Sequence, residues 1–197
     1  MRNIAIFASG SGSNFEAIAV AIKKGEINAN LVLLVCDKPE AKVISRAKRL
    51  GVPVFICDSK EFENRADHES HILSALKAAK VDFIALAGYM RIIGDTLLNA
   101  YAGKIVNIHP SILPAFPGLD AIASAFKSGA KKTGVTVHYI DEGVDTGPII
   151  AQRQVDILPG DTLETLEERI HKAEHELYVE VLKKLLEDPS NPHNRRF

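Results

Sequence analysis

The feature that most limits the folds open to this chain is a repeated alternation of short apolar runs with segments of helical periodicity. Residues 3–8, Asn-Ile-Ala-Ile-Phe-Ala, form an apolar run of the kind found in strands buried on both faces. That run leads directly into Ser9-Gly10-Ser11-Gly12-Ser13-Asn14, after which a helical pattern begins. Further apolar runs at 31–36, 54–57, 83–87 and 105–108 are separated by segments with helical spacing such as 41–50 and 62–79. The alternation predicts βαβ units and a parallel sheet. At 134–140 the pattern changes to period two; a glycine-rich loop and a second run at 149–155 follow, which predicts an antiparallel pair appended to the parallel strands.

The last long element is expected to start at Asp161, whose side chain would cap it, with Glu164 completing a capping-box pattern. Leu163, Leu166, Ile170, Ala173, Leu177, Val181 and Leu185 then recur at helical steps, so one face should pack on the sheet. Pro189 is expected to end it and to leave 189–197 as a frayed tail. No repeat or linker divides the chain, and its 197 residues with 46% hydrophobic and 25% charged composition suit one domain over 1–188. The expected class is α/β: a Rossmann-like open, mostly parallel sheet with helices on both faces and an antiparallel strand pair near the C-terminus.

A formal charge of −1 offers no global field for nucleic acid, and no apolar run is long enough to span a membrane. Neither partner is expected. Cys36 and Cys57 sit in apolar runs without C-x-x-C spacing, as buried free thiols would in a reducing compartment. Arg2 runs at once into a strand rather than a signal peptide, so a cytoplasmic home is expected.

A Gly/Ser loop between a first strand and its helix gathers backbone N–H groups, hydroxyls and the positive end of a helix dipole, which suits a phosphate. Gly10, Gly12, Ser13 and Asn14 are the candidates. Phe15 stands where a dinucleotide fingerprint would place its third glycine, so NAD binding, with Asp37 as the ribose acid, is the weaker alternative. A plain turn with Ser13 or Asn14 capping the helix is the other.

In Lys104-Ile105-Val106-Asn107-Ile108-His109-Pro110, strand alternation sends Asn107 and His109 to one side and Val106 and Ile108 to the other. Pro110 stops the ladder, so His109 should stand at the carboxyl end of a central strand, where ligands bind in open α/β sheets. An amide donor and an imidazole there suit oxyanion stabilisation or proton transfer; the alternative has His109 bonded to a loop carbonyl and Asn107 fixing the turn. Asp145, in the loop Asp141-Glu142-Gly143-Val144-Asp145-Thr146-Gly147-Pro148, would favour the imidazolium if it arrived beside His109 and could order a water that ferries protons. Asp141 and Glu142 read as an ordinary acidic hairpin, and His68 and His71 as solvated residues on a helix face without metal-ligand spacing.

These residues carry a resemblance. The loop Ser9 to Asn14, the run Ala87-Gly88-Tyr89-Met90-Arg91-Ile92, the segment Asn107-Ile108-His109-Pro110-Ser111-Ile112-Leu113-Pro114 and Asp145-Thr146-Gly147-Pro148 together resemble the formyltetrahydrofolate transferase and hydrolase superfamily, in the purine-biosynthesis branch whose acceptor carries a phosphate. The resemblance implies formyl transfer from 10-formyltetrahydrofolate to the primary amine of glycinamide ribonucleotide, with no metal required. It implies Asn107, His109 and Asp145 as catalytic residues and Gly12, Ser13, Asn14, Pro110 and Glu174 as nucleotide contacts. Arg65, Met90, Arg91, Ile92, Ile93, Asn107 and Val144 would line the folate, with Arg91 and Arg65 meeting its glutamate carboxylate.

Each assignment has a plainer counterpart: Glu174 on a charged helix face beside Lys172 and His175, the arginines solvated, and Met90 to Ile93 as core. Asp120 stands where some relatives place a histidine. The homodimer seen in that family stays open. Rival readings are transfer to initiator methionyl-tRNA, which brings an added C-terminal domain for RNA, and a hydrolase with an added N-terminal domain. A non-catalytic nucleotide-binding module and an NAD-dependent dehydrogenase are rivals of other classes.

Overall fold

The computed structural model describes residues 1–187, and the expected tail at 189–197, with Pro189 as helix terminator, lies outside them. Seven strands run in chain order: β1 (Arg2–Ala8), β2 (Ala29–Cys36), β3 (Val54–Ile56), β4 (Phe83–Leu86), β5 (Ile105–His109), β6 (Lys132–Tyr139) and β7 (Ile149–Asp156). Their lateral order is β3-β2-β1-β4-β5-β6-β7. Pairing is parallel from β3 through β5, then antiparallel at β5/β6 and again at β6/β7. The Rossmann-like expectation holds, with β6 reversing direction against β5 as well as against β7.

The helices are α1 (Ser13–Lys23), α2 (Lys42–Leu50), α3 (Arg65–Ala78), α4 (Asp95–Ala100), α5 (Ala121–Lys127) and α6 (Leu163–Glu187). Alternate residues of each buried strand feed two separate cores. Ile4, Ile6 and Ala8 of β1 pack with α1, α2 and α6 on one face, whereas Ala5 and Phe7 pack with α3 and α4 on the other. The two cores are what make the runs 3–8 and 83–86 continuously apolar. Helices α4 and α5 were not evident in the sequence, because at six and seven residues they are too short to establish a period.

Three local expectations are corrected. The segment 62–79 is helical only over Arg65–Ala78: residues 62–64 link α3 to a 3-10 turn at Ser59–Glu61, and Asn64 caps α3 by accepting from the Asp67 amide at 2.9 Å. Helix α6 begins two residues after Asp161: Thr162 Oγ1 accepts from Thr165 N at 3.2 Å while Thr165 Oγ1 accepts from Thr162 N at 3.0 Å, so the reciprocal box is Thr162 with Thr165. Asp161 instead pairs with Arg169 at 2.8 Å. His68 is buried, with Nε2 donating to the Cys57 carbonyl at 3.0 Å and its ring edge-on to Phe62, so only His71 of that pair is exposed. Both cysteines are buried and free, and burial, aided by Glu61 and Asp58, pushes the Cys57 thiol up to about 11.

Helix α6 is locked under the sheet by Tyr178, fully buried, whose hydroxyl lies 2.8 Å from the Leu86 carbonyl and 3.2 Å from that of Val106. It thereby ties the end of β4 to the second residue of β5, the strand that carries Asn107 and His109. Tyr178→Phe keeps the ring and removes that bond, so urea denaturation should show a loss of about 1–2 kcal/mol with an unchanged slope.

Candidate active site

On the α3/α4 face, apolar side chains come from β1, β2, β4 and the start of β5. Beyond Ile105 the same face turns polar. Asn107 lies opposite His138 and His109 opposite Thr136 across the β5/β6 ladder, so four polar side chains share one side of the sheet. Of these, Thr136, His138 and His109 are buried. The loop 140–148 after β6 folds back over them and delivers Asp145, whose φ of 54° is left-handed, a conformation Asp tolerates better than most residues.

Asp145 Oδ2 accepts from the Gly118 amide at 2.8 Å and stands 3.4 Å from His109 Nδ1; its Oδ1 is 3.5 Å from His138 Nε2. His109 Nε2 is 2.8 Å from the Phe116 carbonyl and His138 Nδ1 is 2.8 Å from that of Tyr139. A carbonyl only accepts, so each of these nitrogens carries a hydrogen. The opposite nitrogen of each ring, facing Asp145, is then a lone pair until the ring gains a second proton. Asn107 Nδ2 also reaches His138 Nε2, at 3.3 Å, and donates to it while that lone pair is free. The arrangement is a carboxylate between two imidazole nitrogens, each able to take up one proton. Burial pushes the Asp145 carboxyl up, but the hydrogen bond from His138, the Gly118 amide and the charges of His109 and His138 outweigh it and hold the group below the usual carboxylate range.

The loop-carbonyl bond expected as the alternative for His109 is present on Nε2, while Nδ1 faces Asp145, and Asn107 bonds His138 rather than the turn. His138 is the residue that sequence reading missed. Its signal was the alternation Thr136/His138 against Val135/Val137/Tyr139, which becomes informative only once β6 is known to pair with β5. Ser111 Oγ, 2.5 Å from the Ala115 carbonyl and 3.2 Å from that of Phe116, and Thr136 Oγ1, which donates to the Ser111 carbonyl at 2.7 Å, brace the turn after Pro110.

The glycine-rich loop leaves β1 at the same carboxyl edge, two strands away from β5, or about 10 Å by strand spacing. Gly12 is the N-cap of α1 with φ of 78°, and no side chain caps the helix, so neither Ser13 nor Asn14 serves as a cap. The first-turn N–H groups are left open to a ligand, and Asn14 Oδ1 is buried without a partner. A Cβ at Gly12 would stand 2.6 Å from Val43 Cβ, so only glycine fits. Asp37 is committed elsewhere: it accepts from Ser9 Oγ at 2.5 Å and from Arg91 Nε at 3.1 Å, which removes it as a ribose acid.

Glu174 is buried, at 5% exposure, with His171 Nδ1 2.7 Å from its Oε2, which corrects the picture of a solvated charged face. The hydrogen bond to Glu174 raises the His171 pKa against the opposing effect of burial. Met90 and Ile92 are each 55% exposed and Val144 is 50% exposed, whereas Ile93 is core at 4%. Arg65, Met90, Arg91, Ile92 and Ile93 line one groove of about 490 Å³ with Phe62 and Tyr89. Asp141 Oδ1 accepts from Gly143 N at 3.0 Å and Thr146 Oγ1 at 2.6 Å, the hairpin role expected of it. Among the described residues no cluster of His, Cys, Asp and Glu has the makings of a metal site, and no helix is long and apolar enough to cross a membrane.

Residues 2–182 match the Formyl transferase family. The sequence is 58% identical over 186 residues to phosphoribosylglycinamide formyltransferase of Bacillus subtilis, covering 94% of this chain and 95% of that protein. The fold superposes with a TM-score of 0.92 on glycinamide ribonucleotide transformylase 1 from Geobacillus kaustophilus, at 61% identity over 94% of this chain and 99% of that one. It superposes with a TM-score of 0.94 on phosphoribosylglycinamide formyltransferase from Bacillus halodurans, at 52% identity over 98% and 99%. The chain belongs to the formyl transferase family.

Because the folded Asp145 pKa is depressed, its contribution to stability is present above the unfolded value near 4 and disappears as pH falls through the folded pKa. Chemical denaturation should therefore find Asp145→Asn less stable than the unaltered protein at pH 7, with the gap closing below about pH 4.

Proposed function

We infer that this member of the formyl transferase family is a phosphoribosylglycinamide formyltransferase: it moves a formyl group onto the primary amine of 5'-phosphoribosylglycinamide, giving the N-formyl product in purine biosynthesis. The donor is 10-formyltetrahydrofolate, which leaves as tetrahydrofolate. The observation that carries the mechanism is the meeting of Asn107, His109, His138 and Asp145 on one face of the sheet.

Attack of the amine on the formyl carbon forms a C–N bond and places negative charge on the formyl oxygen and positive charge on the nitrogen. Asn107 Nδ2 is the donor for that oxygen. When His138 Nε2 is protonated and turns to Asp145, it no longer accepts from Asn107, so the amide hydrogen is released toward the substrate. The excess proton of the ammonium passes, directly or through water, to the Asp145–His109 pair. It is then returned to the folate nitrogen as the C–N bond to the donor breaks. The site supplies one place for negative charge and one for a proton, and the balance of the reaction requires both.

The nucleotide phosphate occupies the open N-terminus of α1 at Gly12, Ser13 and Asn14, with Pro110 beside the amine and Glu174 on the ribose hydroxyls. Residues Met90 to Ile93, Arg65 and Val144 hold the folate. Support for this placement is the uncapped helix, the unpartnered Asn14 oxygen and the exposed apolar side chains of Met90, Ile92 and Val144.

Purified protein given 10-formyltetrahydrofolate should consume it only when glycinamide ribonucleotide is present; consumption that ignores the nucleotide would point to a hydrolase. Asn107→Ala should lower kcat by about 10²–10³ with a much smaller change in nucleotide KM. A rise confined to KM would make Asn107 a binding residue.

A further inference from the structure

Four consecutive residues after β4 are each tied to the ends of neighbouring strands. The Gly88 carbonyl accepts from the Ser9 amide at 3.0 Å, and the Tyr89 ring stands edge-on to Phe7 with centroids 5.2 Å apart. The Met90 amide donates to Ser9 Oγ at 2.8 Å, and Arg91 Nε donates to Asp37 Oδ2 at 3.1 Å. Ser9 Oγ in turn donates to Asp37 Oδ1 at 2.5 Å. One carboxylate, only 4% exposed, therefore closes a network where β2, β1 and β4 end side by side.

Met90 and Ile92 nevertheless keep more than half of their surface in solvent. Apolar side chains on a backbone held this firmly form a preformed surface, because their ordering cost is met before a ligand arrives. Arg91 lines the same groove, and among the described residues its terminal NH2 groups have no hydrogen-bond partner. A guanidinium is a rigid plane, so anchoring Nε fixes where the other two nitrogens point. Both Asp37 oxygens are engaged with protein donors and the residue is buried, so the carboxylate is directed at its own neighbours rather than at the groove.

We propose that Asp37 is a positioning residue: through Ser9 and Arg91 it holds 88–92 as a ready-made binding surface and aims Arg91 at a carboxylate-bearing ligand in the groove. This rests on the reading of Met90 to Ile93 as the folate segment, so the ligand is the glutamate-bearing formyl donor. The clamp also joins the start of the glycine loop to the folate segment through a single serine.

Asp37→Asn preserves size but removes the charge and one acceptor. Its dissociation constant and KM for 10-formyltetrahydrofolate should rise about tenfold, while kcat and nucleotide KM stay within about threefold of the unaltered enzyme. In a cycle with Arg91→Gln, the double variant should lose less donor affinity than the sum of the two single losses, since part of the effect of Asp37 runs through Arg91 and the rest through Ser9. Unchanged donor affinity in Asp37→Asn overturns the proposal. So do strictly additive losses, or a parallel fall in nucleotide affinity and Tm that marks general loosening. The binding arm judges the clamp even if the unaltered chain transfers no formyl group, an outcome that would sink only the catalytic reading; failure of the unaltered chain to bind the donor sinks both.

Discussion

The hydrogen-bonded ladder between β5 and β6 is the constraint on which the site depends. Had the sheet continued parallel beyond β5, the next strand would have begun, not ended, beside Ile105, and no loop would return across the face. Reversal places His138 directly opposite Asn107 and His109 opposite Thr136. It also sends the chain out at Tyr139 on the side from which a loop of nine residues can bring Asp145 back over both histidines. Polar side chains fill that stretch because no helix of the α3/α4 layer covers it.

Within the site, chemistry follows from which ring nitrogens are already spent. Backbone carbonyls of Phe116 and Tyr139 each engage one nitrogen of a histidine and fix its tautomer. Asp145 faces the two that remain. Protonation of His138 redirects its Nε2 from accepting the Asn107 amide to donating to the carboxylate, so one proton alters both the charge balance and the direction of a hydrogen-bond donor.

Much of this was legible in the sequence, for reasons that differ by element. Strands β1, β2, β4 and β5 announce themselves because burial on two faces demands unbroken apolar runs, and Asn107 and His109 stand out as polar breaks at the end of one. The pairing of β6 with β5 was not legible, since period-two alternation says that a strand has two faces and nothing about its neighbour; His138 was missed for that reason. His68 was misread because a histidine can satisfy its polar atom on a distant carbonyl, here that of Cys57, which no local pattern encodes. Asp37 looked like a ribose acid by position alone, and only the three-dimensional arrival of Arg91 and Ser9 shows it to be occupied.

The turn after Pro110 meets His109 and Asp145 with main-chain atoms, the Phe116 oxygen and the Gly118 nitrogen. Those two contacts depend on the path of the peptide units, which the buried Ser111 side chain helps to hold. Asp120 sits at φ of 56° as the residue that opens α5 without a side-chain cap bond. A substitution at this position has to keep a left-handed turn at the start of α5, whatever side chain it brings.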